Sequence, residues 1–171
     1  KILSRMKRGY TREYYQNLVH KLRQAIPEIA LTTDIIVGFP GEEEKDFRDT
    51  LELVETVGFD GAFTFCYSPL TGTEAAQLGE RIPEETSGER LRRLIEFQQA
   101  IILRKNDSLV GKEVEIMVEE TSKKSPDELQ GRTRTNKIVA FEGRKELIGD
   151  IISVKIVTSG CWVLKGKINS C

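Results

Sequence analysis

Three short strings in this 171-residue chain gather residue types that bind or transform ligands. The first is GFPGE at 38–42. Gly38 and Gly41 would let backbone approach a ligand closely. A turn that leaves a parallel strand at its C-terminal end lies where α/β sheets and barrels hold their ligands. No GK[ST] follows, and the spacing is not GxGxxG, so neither common phosphate-binding loop is present. A tight strand-to-helix turn with no ligand is the alternative reading. The second string, YSPLTGT at 67–73, supplies hydroxyls and a glycine after the next strand, at the same edge. The third, GRTRTNK at 131–137, combines two arginines, a lysine, two threonines and an asparagine. All of these bind phosphate oxygens, and Arg and Asn also read base edges. Its alternative reading is a solvated charged turn.

The remaining reactive residues exclude more than they suggest. The cysteines are Cys66, Cys161 and Cys171, with no CxxC, and His20 is the single histidine. This is neither a disulfide framework nor a zinc-ligand set. An odd, sparse cysteine count fits a reducing, cytoplasmic setting. Net charge is −1, so no bulk field advertises nucleic acid or membrane. No apolar run approaches the roughly 20 residues that span a bilayer, and no membrane partner is expected. With 39% hydrophobic and 31% charged residues the chain reads as folded rather than disordered. It begins at Lys1 rather than Met, which reads as part of something longer.

These strings need elements to hold them. Thr11 caps a helix whose stripe is Tyr14, Tyr15, Leu18, Val19, Leu22, Ala25 and Ile26, stopped by Pro27. His20 falls off that stripe and reads as a surface residue. Ile29 to Val37 reads as a strand buried on both faces. After GFPGE comes a helix carrying Phe47, Leu51, Val54 and Val57, with Glu42, Glu43 and Glu44 at its start and Gly58 at its end. Phe59 to Tyr67 reads as a second buried strand containing Cys66. Tyr14, Tyr15, Phe63 and Phe65 read as core. Helix–strand–helix–strand order predicts parallel βα units, and two strands cannot close such a sheet, so further strands are expected upstream. A long helix opens at Pro83 and Glu84 and runs to about Asn106, with Leu91, Leu94, Ile95, Ile101 and Ile102 on one face.

From Ser108 the texture changes. EVEIMVEE (113–120) alternates with period two, TSKKSPDELQ (121–130) reads as a polar loop, and GRTRTNKIVAFEG (131–143), GDIISVKIVTSG (149–160) and CWVLKGKI (161–168) read as short strands. Short strands so close together predict a small closed β-barrel. Cys161 beside Trp162 reads as barrel packing, while Phe141 and Trp162 stay open as base-stacking candidates. Residues 108–171 hold 11 basic and 9 acidic side chains, against 15 and 18 in residues 1–107. The fold class is therefore α/β plus a small all-β domain, with domains at 1–107 and 108–169.

Taken together and in order, MKRGYTREYY (6–15), TTDIIVGFPGE (32–42), FTFCYSP with the following GT and AA (63–76), and GRTRTNKIVAFEG resemble the C-terminal half of the radical-SAM methylthiotransferases. The likeness is greatest to the branch that methylthiolates isopentenyl-adenosine beside the tRNA anticodon. It implies the last βα units of a radical-SAM partial TIM-like barrel, followed by a TRAM domain, an OB-like β-barrel that grips tRNA. It implies S-adenosylmethionine (SAM), two 4Fe-4S clusters whose cysteine ligands are absent from this chain, and an electron donor. The chain itself is then expected to be inactive. On matching positions it places Asp34, Ile36, Gly38 and Phe39 on the adenine side of the SAM pocket, with Phe65 and Tyr67 flanking it. Arg8 points at SAM's carboxylate or at tRNA phosphate. Arg132, Arg134, Asn136 and Lys137 become the tRNA contacts. The family carries an arginine after YSP where Leu70 stands here, so no substrate role is assigned to residues 70–71. A sister branch that modifies an aspartate of a ribosomal protein is acidic where this chain has TRTNKIV, a contrast that favours RNA. That sister activity and a non-catalytic RNA-binding module are the alternatives.

Overall fold

A computed structural model describes residues 1–122, 125 and 127–168. The chain divides into two compact units, Lys1–Ile101 and the remainder from Ile102.

In the first unit, α1 (Ile2–Arg5) precedes α2 (Arg12–Ala25), whose first turn is capped by the Thr11 hydroxyl accepting from the Tyr14 N–H. The Ile29 N–H donates to the Ile26 carbonyl, so residues 26–29 form a turn around Pro27. Strand β1 (Thr32–Val37) therefore starts three residues later than the apolar run suggests. Helix α3 (Glu44–Val57) begins with a capping box in which the Glu43 N–H donates to the Asp46 carboxylate at 2.9 Å. It ends at Gly58, in the left-handed region at φ 57°, which donates to the Val54 carbonyl. Strand β2 (Gly61–Cys66) pairs with β1 in parallel, setting Asp34 opposite Phe63 and Ile36 opposite Phe65. Helix α4 (Glu74–Gln77) and the long α5 (Glu84–Asp107) follow.

One face of this sheet is covered. Val37 joins Val19, Phe47, Val54, Val57, Phe59 and Leu94 in a single core, with Tyr15, Ile35 and Cys66 against it. The other face is not covered. Phe63 is 67% and Phe65 50% exposed, and Thr32, Asp34 and Ile36 lie on the same side. This corrects the expectation that both strands are buried on both faces and that Phe63 and Phe65 are core: the helices cover one face of the two-stranded sheet. Tyr14, Leu18 and Ile26 are exposed as well, leaving Val19 and Tyr15 as the packed part of the α2 stripe. Ile95 also falls outside the buried face of α5, whereas Leu94, Ile101 and Ile102 are buried. His20 is exposed.

In the second unit, β3 (Glu113–Thr121), β4 (Glu128–Thr133), β5 (Ile138–Glu142), β6 (Ile151–Thr158) and β7 (Val163–Ile168) close a barrel in the order β3-β4-β5-β7-β6. Every pair is antiparallel except β5 with β7. Ile116, Val118, Leu129, Val139, Phe141, Val154, Ile156 and Leu164 fill it. A side chain on Gly131 would overlap the Met117 carbonyl, so β3 and β4 can approach this closely only with glycine there. Two sequence expectations need revision. β4 begins at Glu128, inside the stretch read as loop, and GRTRTNKIVAFEG is a hairpin rather than one strand. The hairpin turn is set by Asn136 at φ 63°, a residue that tolerates the left-handed region, and by the Thr133 hydroxyl accepting from the Lys137 N–H. Lys123, Lys124, Pro126 and Cys171 lie outside the described residues, so the polar-loop reading of 121–130 is followed only in part. Among the described residues no helix is long and apolar enough to cross a membrane.

Candidate functional site

The GFPGE turn is built around a buried ion pair. Glu42 is 5% exposed. Its carboxylate accepts from the Gly38 N–H at 3.2 Å and from Arg90 Nη1 at 2.8 Å, and Arg90 also donates to the Glu42 carbonyl at 3.1 Å. Burial pushes the Glu42 carboxyl above its ordinary value, and the Gly38 N–H and Arg90 oppose that rise. Gly38 sits at φ 74°, and a Cβ there would come 2.6 Å from Cβ of Ser87. Gly41, at φ 77°, faces the Arg5 guanidinium and the Glu80 carboxylate in the same way. Backbone conformation favours glycine at both positions, and at Gly38 close packing on Ser87 adds to it. Glu42 and Arg90, 48 residues apart, were not identifiable as partners from sequence. Nothing local distinguishes Glu42 from the acids beside it.

The open face of the sheet is where the proposed cofactor residues divide. Arg8, Asp34 and Ile36 line one cavity of about 310 Å³ together with Tyr15, Ile35, Val54 and Phe59 of the helix-covered core, so it is not a cavity of the open face alone. Phe65 shares the open face with Ile36 through the strand register but does not line that cavity. Gly38 and Phe39 are buried, and Phe39 meets the Tyr67 ring edge-on at 5.0 Å. Phe39 is therefore core, and the structure does not bring it to the open face. The Tyr67 hydroxyl is buried and has no hydrogen-bond partner among the described residues. The open face carries apolar surface at Ile36 and Phe65 and a carboxylate at Asp34, while Arg8 shares with Asp34 and Ile36 the lining of the cavity. The cysteines do not fit a metal cluster. The Cys66 thiol donates to the Ser87 carbonyl at 3.4 Å, Cys161 belongs to the other unit, and no three metal-ligating side chains converge among the described residues.

On the barrel, the GRTRTNK residues converge at the β4–β5 turn. Arg132 donates to Glu119 at 3.2 Å and to the Asn136 side-chain oxygen at 2.9 Å. Arg134, 81% exposed, meets Glu115 at 2.7 Å. Lys137 donates to the Asn106 side chain at 2.8 Å. Two of the cations are thus held by glutamates of β3. Exposed pairs of this kind are worth about 0–1 kcal/mol, so phosphate oxygens can displace the glutamates at small cost. Sequence reading missed Asn106, which is 3% exposed and also donates to the Gly160 carbonyl at 2.7 Å. Of the two aromatic candidates, Phe141 is 1% exposed and belongs to the core, and Trp162 is 68% exposed. Trp162, left open by the sequence, precedes β7 and lies outside the closed core.

Comparison with known families finds two matches along the chain. Residues 1–54 match the radical SAM superfamily, and residues 107–168 match the TRAM domain. A tRNA-2-methylthio-N(6)-dimethylallyladenosine synthase of Moorella thermoacetica is 55% identical over 98% of this chain. The chain thus combines a radical SAM superfamily segment with a TRAM domain. Synthases of the same name from Acetivibrio thermocellus and Natranaerobius thermophilus are 52% and 50% identical over 98% of it. The chain spans 38%, 35% and 37% of the length of these three relatives, respectively.

Proposed function

We propose that this chain is the part of a tRNA-modifying methylthiotransferase that supplies one wall of the SAM site, from residues 1–107, and a tRNA-gripping barrel, from residues 108–169. The substrate in this reading is isopentenyl-adenosine beside the anticodon. The observation that carries it is the convergence of Arg132, Arg134, Asn136 and Lys137 on one turn of a closed barrel, in a chain about half identical to proteins named for this tRNA modification. Such a cluster neutralises phosphates and sets the register of the RNA.

Asp34, Ile36 and Phe65 then hold the adenosine part of SAM on the open face of a partial TIM-like barrel completed by further strands. Gly38, Phe39 and Tyr67 shape the loop behind it, and Arg8 holds the SAM carboxylate or a tRNA phosphate. SAM with iron–sulfur clusters supplies hydrogen-abstracting and methyl-transfer chemistry. In this reading the two 4Fe-4S clusters and the contact to an electron donor come from residues outside this chain, and the enzyme works in the cytoplasm. The acidic β4–β5 segment of the protein-modifying branch would repel phosphate, so the cations here favour tRNA.

The test is direct binding of the chain to tRNA and, separately, to ribosomal protein. Salt-sensitive binding to tRNA alone is expected. Binding to the ribosomal protein alone would overturn the assignment.

A further inference from the structure

Trp162 has no role in the core, yet its position is tightly determined. It is the single tryptophan of the chain and is 68% exposed. β5 and β7 run parallel, with Ile138 opposite Val163 and Val139 opposite Leu164. Val139 and Leu164 are both fully inside the barrel. Lys137 and Trp162 directly precede the paired Ile138 and Val163, so the two residues enter neighbouring parallel strands at the same end of the barrel. One buried amide locks the arrangement: Asn106 accepts from Lys137 Nζ at 2.8 Å and donates to the carbonyls of Gly160 at 2.7 Å and Cys161 at 3.4 Å. Ser159 in the same turn is bonded to Asp107. The β6–β7 turn is thus held against the turn that carries Arg132, Arg134 and Asn136.

We propose that Trp162 is a stacking platform for one unpaired nucleobase, placed next to the cationic turn so that the RNA backbone and a splayed base are bound together. The proposal rests on the tRNA reading above and adds a ligand feature to it. Lysines and arginines neutralise phosphate in any nucleic acid, but an exposed indole beside them gains its full value only from a base with a free face. A fully paired stem offers phosphates and no such face, so the platform selects loop over duplex.

Because the chain has one tryptophan, its emission reports this residue alone. The 171-residue chain is titrated with an anticodon stem-loop RNA and with a blunt RNA duplex of equal phosphate number, while labelled-RNA anisotropy records binding independently. The stem-loop should quench and shift the emission, and the duplex should bind without doing so. Trp162→Ala should weaken stem-loop binding about 5- to 150-fold with little change for the duplex, and Trp162→Phe should recover most of the loss. Circular dichroism checks that both variants stay folded. Stem-loop binding that leaves the emission unchanged overturns the platform while leaving the tRNA reading intact. Equal quenching by the duplex, or unaltered affinity in Trp162→Ala, does the same. Absence of binding to either RNA overturns both. Emission that changes with protein concentration and not with RNA assigns the indole to a protein contact and also overturns the proposal.

Discussion

Phe141 of the barrel is 1% exposed, whereas Phe63 and Phe65 of the two-stranded sheet are 67% and 50% exposed. All three sit in short apolar strands. The difference lies in closure. Five strands that return on themselves leave no open edge and one enclosed interior, so inward positions are buried by their own neighbours. Two parallel strands backed by helices on one side have a finished face and an unfinished one. Large apolar side chains on an unfinished face are either a liability or a binding surface. Here they stand on one face with Asp34 and Ile36, and Ile36 and Phe65 lie toward the C-terminal ends of the parallel strands, the edge where α/β folds hold ligands.

The contrast can be broken most forcefully in the two interiors. Phe141→Ala in the barrel and Phe47→Ala in the first unit should each cost about 3–5 kcal/mol in urea unfolding, while Phe63→Ala should stay within about 0.5 kcal/mol. A comparable loss at Phe63 would mean its face is covered after all. The GFPGE turn gives the next test. Glu42→Ala leaves the buried Arg90 guanidinium with only the half-exposed Glu44, 3.5 Å from its Nε, and should cost about 3–5 kcal/mol. Gly38→Ala, which strains a φ of 74° and meets Ser87, should cost about 1–3 kcal/mol.

A smaller effect concerns pH. Burial holds the Glu42 carboxyl above its ordinary 4.5, so the folded chain binds that proton more tightly than the unfolded chain does. Its contribution to stability is full below the ordinary glutamate value and is lost as pH rises through the raised one. Urea midpoints measured upward from pH 4 should therefore fall for the parent chain relative to Glu42→Gln. A relative rise would contradict the shift.

How far the sequence foretells each unit follows from the same contrast. Caps and turns are local signals, so Thr11, Gly58 and the start of α5 at Glu84 were all readable. EVEIMVEE alternates cleanly because one side of β3 faces the core and the other faces water. GAFTFC does not alternate in polarity: alanine, phenylalanine and cysteine occupy both parities, and only the helices packed on one side decide which face is buried. The start of β4 was hidden because Glu128 continues a polar run, and its strand character comes from pairing with Phe141 and its neighbours. The Glu42–Arg90 pair and the Asn106 bridge join residues far apart in sequence, so composition carried no trace of them. The candidate cofactor residues were legible as a strand end. That Phe39 turns into the core while Phe65 turns out depended on packing.

The central claim is that the β4–β5 turn of the barrel grips RNA through phosphate. The measurement is the salt dependence of tRNA binding by the parent chain and by Arg132→Gln/Arg134→Gln/Lys137→Gln. The account predicts that the magnitude of the log–log slope falls by about two to three in the triple variant, from roughly 0.7–0.9 per lost phosphate contact. An unchanged slope would contradict it.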